Sequence, residues 1–251
     1  MSKPRVLAID IETSLHTVKT FGLYNQNIRP EQIVKSSRLV CFAARFEGER
    51  KVHFYSEWTH TRKEMVKAAH ELLDSADAVV TYNGASFDCK HLNREFVLAG
   101  LSEPCFQDID LIKTVRKKFK FASNKLDYIC KELGLDVKVP HTGIKLWMDI
   151  DDKCPKAQRL MKKYNIQDVI IMEQLYDTIK GWVVTQFNRA LWMEPGVRVC
   201  PQCGSTNVTK RGKRKKRTKV SAYQRWECHS CGANPRSRLR DKDVPKPELV
   251  V

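Results

Sequence analysis

The pattern of apolar and polar positions changes period along the chain and predicts alternating strands and helices. Residues 5–9 form a short apolar run that ends at Asp10, which suits a buried strand. Residues 38–46 and 51–55 read as two further strands around the polar turn Glu47-Gly48-Glu49-Arg50, a hairpin. Met65, Ala68, Ala69, Leu72 and Leu73 recur at helical spacing, and that helix hands over to a strand at residues 78–82. A second helix fits residues 89–99, closed by Gly100, and residues 109–112 suit a short strand. Residues 125–133 predict a helix stopped by Gly134, and residues 157–180 a long one closed by Gly181. An initial hairpin followed by strand–helix alternation predicts an α/β fold, a mixed sheet flanked by helices. Residues 13–37 are polar but carry Phe21, Tyr24 and Pro30. They are too long for a tight turn and read either as a substrate-facing loop or as packing filler.

Composition places this pattern in one sizeable core with room for a small appendage: 251 residues, 42% hydrophobic and 29% charged. A disordered or fibrous chain is excluded. No stretch is long and apolar enough for a membrane span, and Met-Ser-Lys-Pro-Arg runs straight into residues 6–9 without a signal-peptide core. An unexported protein of the reducing cytoplasm is therefore expected. The odd count of 9 cysteines agrees, because it favours reduced thiols with any clustered pairs given to metal.

Charge divides the chain. Of the formal +16, residues 196–251 carry 15 Lys/Arg against 4 Asp/Glu, a surplus of 11, whereas the first 195 residues carry 30 against 25. The basic block at residues 210–217 repels itself and attracts polyanions, so nucleic acid is the expected partner and a membrane is not. Glu194-Pro195-Gly196 interrupts the α/β pattern just where composition changes. The expected organisation is a domain at 1–195, a small module at 196–240, and a short polar tail at 241–251 containing Pro245 and Pro247.

Three places in the first domain carry candidate chemistry. Asp10-Ile11-Glu12 ends the first strand, and residues i and i+2 of a strand share a face, so both carboxylates can meet one cation. Tyr82-Asn83-Gly84-Ala85-Ser86-Phe87-Asp88 reads as strand, glycine turn and an acid opening a helix, where Asp also serves as an ordinary first-turn residue. Tyr164 and Asp168 stand at i and i+4 on one face of the last helix. Taken together and in this order, the three resemble the motifs of the DEDD exonuclease superfamily, tyrosine subclass, which has an RNase H-like fold. The middle motif is similar to that of the proofreading 3′–5′ exonuclease domains of family B DNA polymerases and their stand-alone bacterial and phage relatives. The resemblance covers residues 1–195.

The resemblance implies a bacterial or phage-infected cytoplasm and a catalytic set of Asp10, Glu12, Asp88, Tyr164 and Asp168. The four carboxylates would hold two Mg²⁺ or Mn²⁺ ions, with Asp10 bridging both, and Tyr164 would orient the attacking water. Physical chemistry supports such a set: four clustered carboxylates repel and raise one another's pKa unless divalent cations neutralise them. Two hard cations about 3.5–4 Å apart then stabilise both oxygens of a phosphodiester hydrolysis. With an ordinary phenol pKa of about 10, Tyr164 is a poor base. Thr13, Asn83 and Phe87 carry over as contacts to the terminal nucleotide, with turn geometry and core packing as the alternatives for Asn83 and Phe87. Asp110 ends another short strand and reads as structural, and His141 and Trp147 precede the last helix without an assigned role. No nucleophilic triad or phosphate loop competes.

Cys200-Pro201-Gln202-Cys203-Gly204 and Cys228-His229-Ser230-Cys231-Gly232 are two C-x-x-C-G knuckles separated by 24 residues. This spacing predicts one structural Zn²⁺ on Cys200, Cys203, Cys228 and Cys231, and the metal would supply much of the folding energy of so small a module. The segment resembles a zinc ribbon, with strands at 208–210 and 223–227 joined by the basic loop. Lys213, Arg214, Lys215, Lys216 and Arg217 would hold phosphates and Tyr223 would stack a base. Trp226 suits either stacking or the module's small core. The function expected from all of this is a two-metal 3′–5′ exonuclease on nucleic acid, single-stranded DNA first and RNA second. The competing readings are a ribonuclease or structure-selective endonuclease on the same fold, and a non-catalytic nucleic-acid-binding protein.

Overall fold

The computed structural model describes residues 3–185, 187–194 and 196–244, with the side chain of Arg214 excepted. In chain order the elements are β1 (Val6–Thr13), β2 (Thr17–Val18), β3 (Ile33–Lys35), β4 (Leu39–Phe46), β5 (His53–Ser56), α1 (Arg62–Asp74), β6 (Ala78–Thr81), α2 (Asp88–Leu98), β7 (Gln107–Asp110), α3 (Leu111–Lys118), α4 (Leu126–Glu132), α5 (Ile144–Asp151), α6 (Pro155–Ile179), β8 (Val208–Arg217) and β9 (Ala222–Cys228). They fall into two compact units, one of Arg5–Leu175 and one that starts at Tyr176.

The first unit is built on a five-stranded sheet in the order β5-β4-β1-β6-β7. β1 pairs antiparallel with β4 and parallel with β6, so the sheet is mixed, and β1 is central and covered on both faces. Its side chains alternate accordingly. Leu7, Ile9 and Ile11 pack with Phe42 against Met65, Ala69 and Leu73 of α1 and Leu92 and Phe96 of α2. Opposite Glu12 the ladder slips, pairing Glu12 with Cys41 and Thr13 with Leu39, which leaves Val40 as the extra residue of a bulge. The bulge lets β4 serve both layers: Leu39 joins the first core, while Val40 and Cys41 join Leu146 and Ile150 of α5 and Met161 and Tyr164 of α6 on the second face.

Three expectations are corrected. The strand expected at 109–112 ends at Asp110, because the Asp110 carboxylate accepts from the Ile112 amide at 3.3 Å and starts α3 instead. The stretch 13–37 is not wholly loop, since it contains the β2–β3 pair, beyond which Phe21 and Tyr24 are fully exposed. The basic run is not a loop between short strands. It is β8 itself, laddered on β9 through Lys215–Gln224, Lys216–Tyr223 and Arg217–Ala222, with the register slip absorbed between Lys210 and Lys215.

The division between units falls inside α6, earlier than the boundary expected at 195, and Pro195 lies outside the described residues. The segment after α6 packs with the cysteine module: the Arg189 amide donates to the Pro201 carbonyl at 2.9 Å and Gln202 Nε2 to the Val183 carbonyl at 3.2 Å. Gly181 is pressed so close to the Cys231 carbonyl that a Cβ would sit 2.0 Å from it. Of the expected tail, residues 245–251 lie outside the described residues. Among the described residues no helix is long and apolar enough to cross a membrane.

Candidate active site

Strand alternation sends Asp10 and Glu12 to the face of β1 opposite Ile9 and Ile11, the face covered by α6. One turn beyond Tyr164, α6 supplies Asp168, and carboxylate oxygens of Asp10, Glu12 and Asp168 lie within 4.8 Å of one another. Asp88 opens α2 beside them but stands outside this group of three. Its Oδ1 accepts from the Ile11 amide at 3.1 Å, and its charge acts on Asp10.

The cluster is short of compensating charge. Burial, then Asp88, Asp168 and Glu12, raise the Asp10 carboxyl well above the usual range. Burial followed by Asp168 pushes Glu12 up to about 8, and burial pushes Asp88 up to about 6 against the amide of Ile11. Asp168 is also raised by burial, and its Oδ1 is buried with no hydrogen-bond partner. An orphaned carboxylate oxygen among three other carboxyls that resist ionisation is a donor set that fits hard divalent cations.

Four residues without a predicted role complete the site. Asn165 is fully buried and donates from Nδ2 to Asp10 Oδ2 at 2.7 Å and to the Asp10 carbonyl at 3.0 Å, which fixes that carboxylate. Lys138, in the segment between α4 and α5, pairs with Asp168, donates to the Tyr164 hydroxyl at 3.2 Å and lies 5.1 Å over the Tyr164 ring. Burial disfavours the Lys138 charge, but Asp168 and Tyr164 outweigh burial and raise its pKa. His141 and Trp147 pack edge-on to Tyr164 with centroids 4.9 and 6.3 Å away, and Trp147 also hydrogen-bonds Glu12. Tyr164 is buried and its phenol is raised further by that burial and by Asp168, so it stays protonated at neutral pH. No local pattern marks Lys138, which only the folded chain brings to α6. Asn165 lies inside the Tyr164–Asp168 motif, where its neighbour Tyr164 is the one signal that could have found it.

The turn before α2 is shaped by its backbone. Asn83 adopts φ +71° and its amide donates to Asp110 Oδ1 at 2.8 Å, the structural role expected of Asp110. Gly84 is obligatory, because a Cβ there would lie 2.3 Å from the Thr81 side chain. Phe87 is 40% exposed, with its ring 4.6 Å from His91, so it is not a core residue. Thr13 ends β1 just past the bulge and is half-buried.

Comparison with known proteins agrees with this geometry. A family model described as the RNase_H superfamily matches residues 7–180, which include every carboxylate of the cluster. The chain belongs to the RNase H superfamily. Among solved structures it is similar to the family B DNA polymerase from the hyperthermophilic archaeon Pyrobaculum calidifontis, with a TM-score of 0.51 and 16% identity. That match covers 71% of this chain and 25% of the polymerase, and it shows the fold. No curated protein matches. Membership of the RNase H superfamily supports a metal-dependent nuclease acting on nucleic acid.

The cysteine centre lies outside the RNase H match. All four sulfurs lie within 4.8 Å of one another, with Cys200–Cys231 at 3.7 Å and Cys203–Cys228 at 3.6 Å. A tetrahedral zinc with Zn–S bonds of about 2.3 Å requires sulfur–sulfur edges of about 3.8 Å, so the site fits that ion. The knuckle turns aim amides at sulfur. Cys200 accepts from the amides of Cys203 and Gln202, and Cys228 from those of Cys231 and Ser230. Burial alone would push the Cys228 thiol up, but these amides and the neighbouring thiols outweigh it and bring it down to about 7. His229 is engaged elsewhere, 2.8 Å from the Thr209 hydroxyl.

On β8, Lys213, Lys216 and Arg217 are exposed, whereas Lys215 is paired with Asp241. The side chain of Arg214 lies outside the described residues. Tyr223 is half-buried, and the Arg236 guanidinium lies 4.0 Å over its ring.

Proposed function

We propose that the chain is a two-metal 3′–5′ exonuclease that removes nucleotides from the 3′ end of single-stranded DNA. The observation that carries this reading is the convergence of Asp10, Glu12 and Asp168 oxygens within 4.8 Å, beside Asp88, in a site that holds their carboxyls above the usual range. Asp10, Glu12, Asp88 and Asp168 would hold Mg²⁺ or Mn²⁺, which when bound supply an activated water and neutralise charge on the attacking and leaving oxygens.

The remaining roles belong to the chain itself. Asn165 fixes the Asp10 carboxylate, and Lys138 holds Asp168 and the Tyr164 hydroxyl in register. Tyr164, kept as a phenol, orients the nucleophilic water by hydrogen bonding rather than by taking its proton. Phe87 and His91 offer an aromatic face to the terminal base, with Asn83 and Thr13 as further contacts to the terminal nucleotide. The 3′–5′ polarity rests on the similarity of the three motifs to proofreading domains. The four cysteines hold one structural Zn²⁺, and Lys213, Lys216 and Arg217 on β8 grip the nucleic acid through its phosphates.

The test is incubation of 5′-labelled single-stranded DNA and matched RNA with Mg²⁺ or Mn²⁺, beside Asp168→Ala. A ladder shortening from the 3′ end, absent in the variant, supports the reading and names the preferred sugar. Internal cuts would favour an endonuclease, and intact substrate with binding retained would favour a non-catalytic binding protein.

A further inference from the structure

The unit that begins at Tyr176 has a cavity of its own, of about 240 Å³. It lies between the single helical turn at Arg189–Trp192, the first knuckle and β9. Trp226 forms one wall, Arg198 and Arg236 flank it, and Asn188, Val199 and Pro235 help to close it.

Three observations give this cavity a chemistry. First, Trp226 is half-buried and does not belong to the cluster around the cysteines, which is Cys200, Cys228 and Ala233 with Cys203, Val208 and Cys231 packed against them. The indole lines the cavity. Second, the Arg198 guanidinium lies 4.1 Å over the Trp226 ring, and among the described residues it has no carboxylate or hydrogen-bonding partner. The Arg236 guanidinium, stacked on Tyr223, donates to the Ser237 carbonyl at 3.2 Å and has no other side-chain bond among the described residues, so both arginines keep donors to spare. Third, among the described residues no carboxylate lines the cavity. An indole capped by one guanidinium, with a second guanidinium beside it, suits a planar heterocycle that carries an anion. The volume is below the roughly 300–1,000 Å³ of ordinary small-molecule sites and leaves room for one base, not for a duplex.

We propose that this cavity receives one unpaired nucleotide of the bound strand, its base against Trp226 and its phosphate on Arg198 and Arg236. The assignment rests on the reading that the chain acts on nucleic acid, but not on its being able to cut. It separates the module's work into two parts: β8 tracks phosphates without sequence, and the cavity clamps a single base.

The test uses the full zinc-loaded chain carrying Asp168→Ala to prevent cleavage, and fluorescence anisotropy with a 5′-labelled oligothymidylate of about 20 nucleotides over a range of salt. Trp226→Leu and Arg198→Gln are each expected to weaken binding about tenfold, within the range set by loss of one base–aromatic stack. Arg198→Gln should also lower the salt slope by about 0.7, while Trp226→Leu leaves the slope unchanged and Trp226→Phe restores most of the affinity. Zinc content, read by thiol-specific release, reports folding. If Trp226→Leu loses its zinc, Arg198→Gln and Trp226→Phe decide.

Zinc-loaded variants that bind like the parent would overturn the cavity while leaving the proposed nuclease intact. Thymidine monophosphate that displaces the oligonucleotide at equal nucleotide concentration would overturn the strand assignment in favour of a free nucleotide. Failure of the native chain to cut DNA with Mg²⁺ or Mn²⁺, alongside cavity-dependent binding, would overturn the nuclease reading and leave the cavity standing.

Discussion

The two metal-type clusters of this protein are assembled in opposite ways. The cysteine cluster is made of two short turns whose own amides already point at the sulfurs, with Gly204 and Gly232 at φ +76° and +72° closing each turn. The carboxylate cluster draws on the end of β1, the start of α2 and the middle of α6, and nothing local stabilises it. Its charges are held at close range by hydrophobic packing on both faces of the sheet, and its carboxyls stay partly protonated as the cost. One site is therefore preformed by its local turns, whereas the other depends on the tertiary fold to gather its carboxylates.

That contrast breaks most visibly if zinc is withdrawn. Chelation, or Cys228→Ser, is expected to unfold the cysteine module completely, since zinc contributes on the order of 10–16 kcal/mol in comparable small modules. The RNase H unit should keep its helical circular dichroism. Loss of both transitions together would show that the two sites are not independent.

Next in size is the carboxylate site. Asp168→Ala or Asp10→Asn should reduce cleavage by about 10²–10⁴, the several kcal/mol ascribed to metal-ion catalysis, and Asp10→Asn, which removes a charge without stranding Lys138, should keep or raise the melting temperature in the absence of divalent ions. A large fall in melting temperature would mean that these acids support the fold. Tyr164→Phe should cost only about tenfold in kcat, the worth of one hydrogen bond, because the phenol orients and does not deprotonate. A loss as large as that of Asp168→Ala would assign it a proton-transfer role.

The smallest effect is on pH. A carboxyl whose pKa is higher in the folded chain binds more protons there than when unfolded, so its stabilising contribution is full at low pH and is lost as pH rises. For Glu12 that window runs from its usual 4.5 to about 8. Without divalent ions the RNase H unit should lose a few degrees of melting temperature between about pH 5 and 8, and Mn²⁺ should restore them increasingly toward pH 8. A melting temperature that rises through this window would contradict the electrostatics described for the cluster.

How much was legible in the sequence follows the same division. The knuckles were readable because C-x-x-C-G is a local motif whose spacing already contains its geometry. Asp10 and Glu12 were readable from strand alternation, and Asp88 and Asp168 from their places in ordered motifs. Lys138 was not, because a lone lysine in a polar segment has no period or spacing, and only the packing of that segment on α6 gives it Asp168 and Tyr164 as partners. The helix at 111–118 was missed for a smaller reason: residues 109–112 read as an apolar strand, and the Asp110 side chain ends it.

The basic run shows the limit from the other side. Its charge was evident, but eight residues rich in Lys and Arg look like a solvated loop until the ladder with β9 is seen to absorb them. The sequence by itself determined the alternation of most elements, the candidate ligands and the sign of the field, since these depend on residue type and local spacing. Only the tertiary structure decided which carboxylates meet, that Asn165 and Lys138 hold them, and that Trp226 lines a cavity. Those facts arise from contacts between residues far apart in the chain, where no local propensity acts.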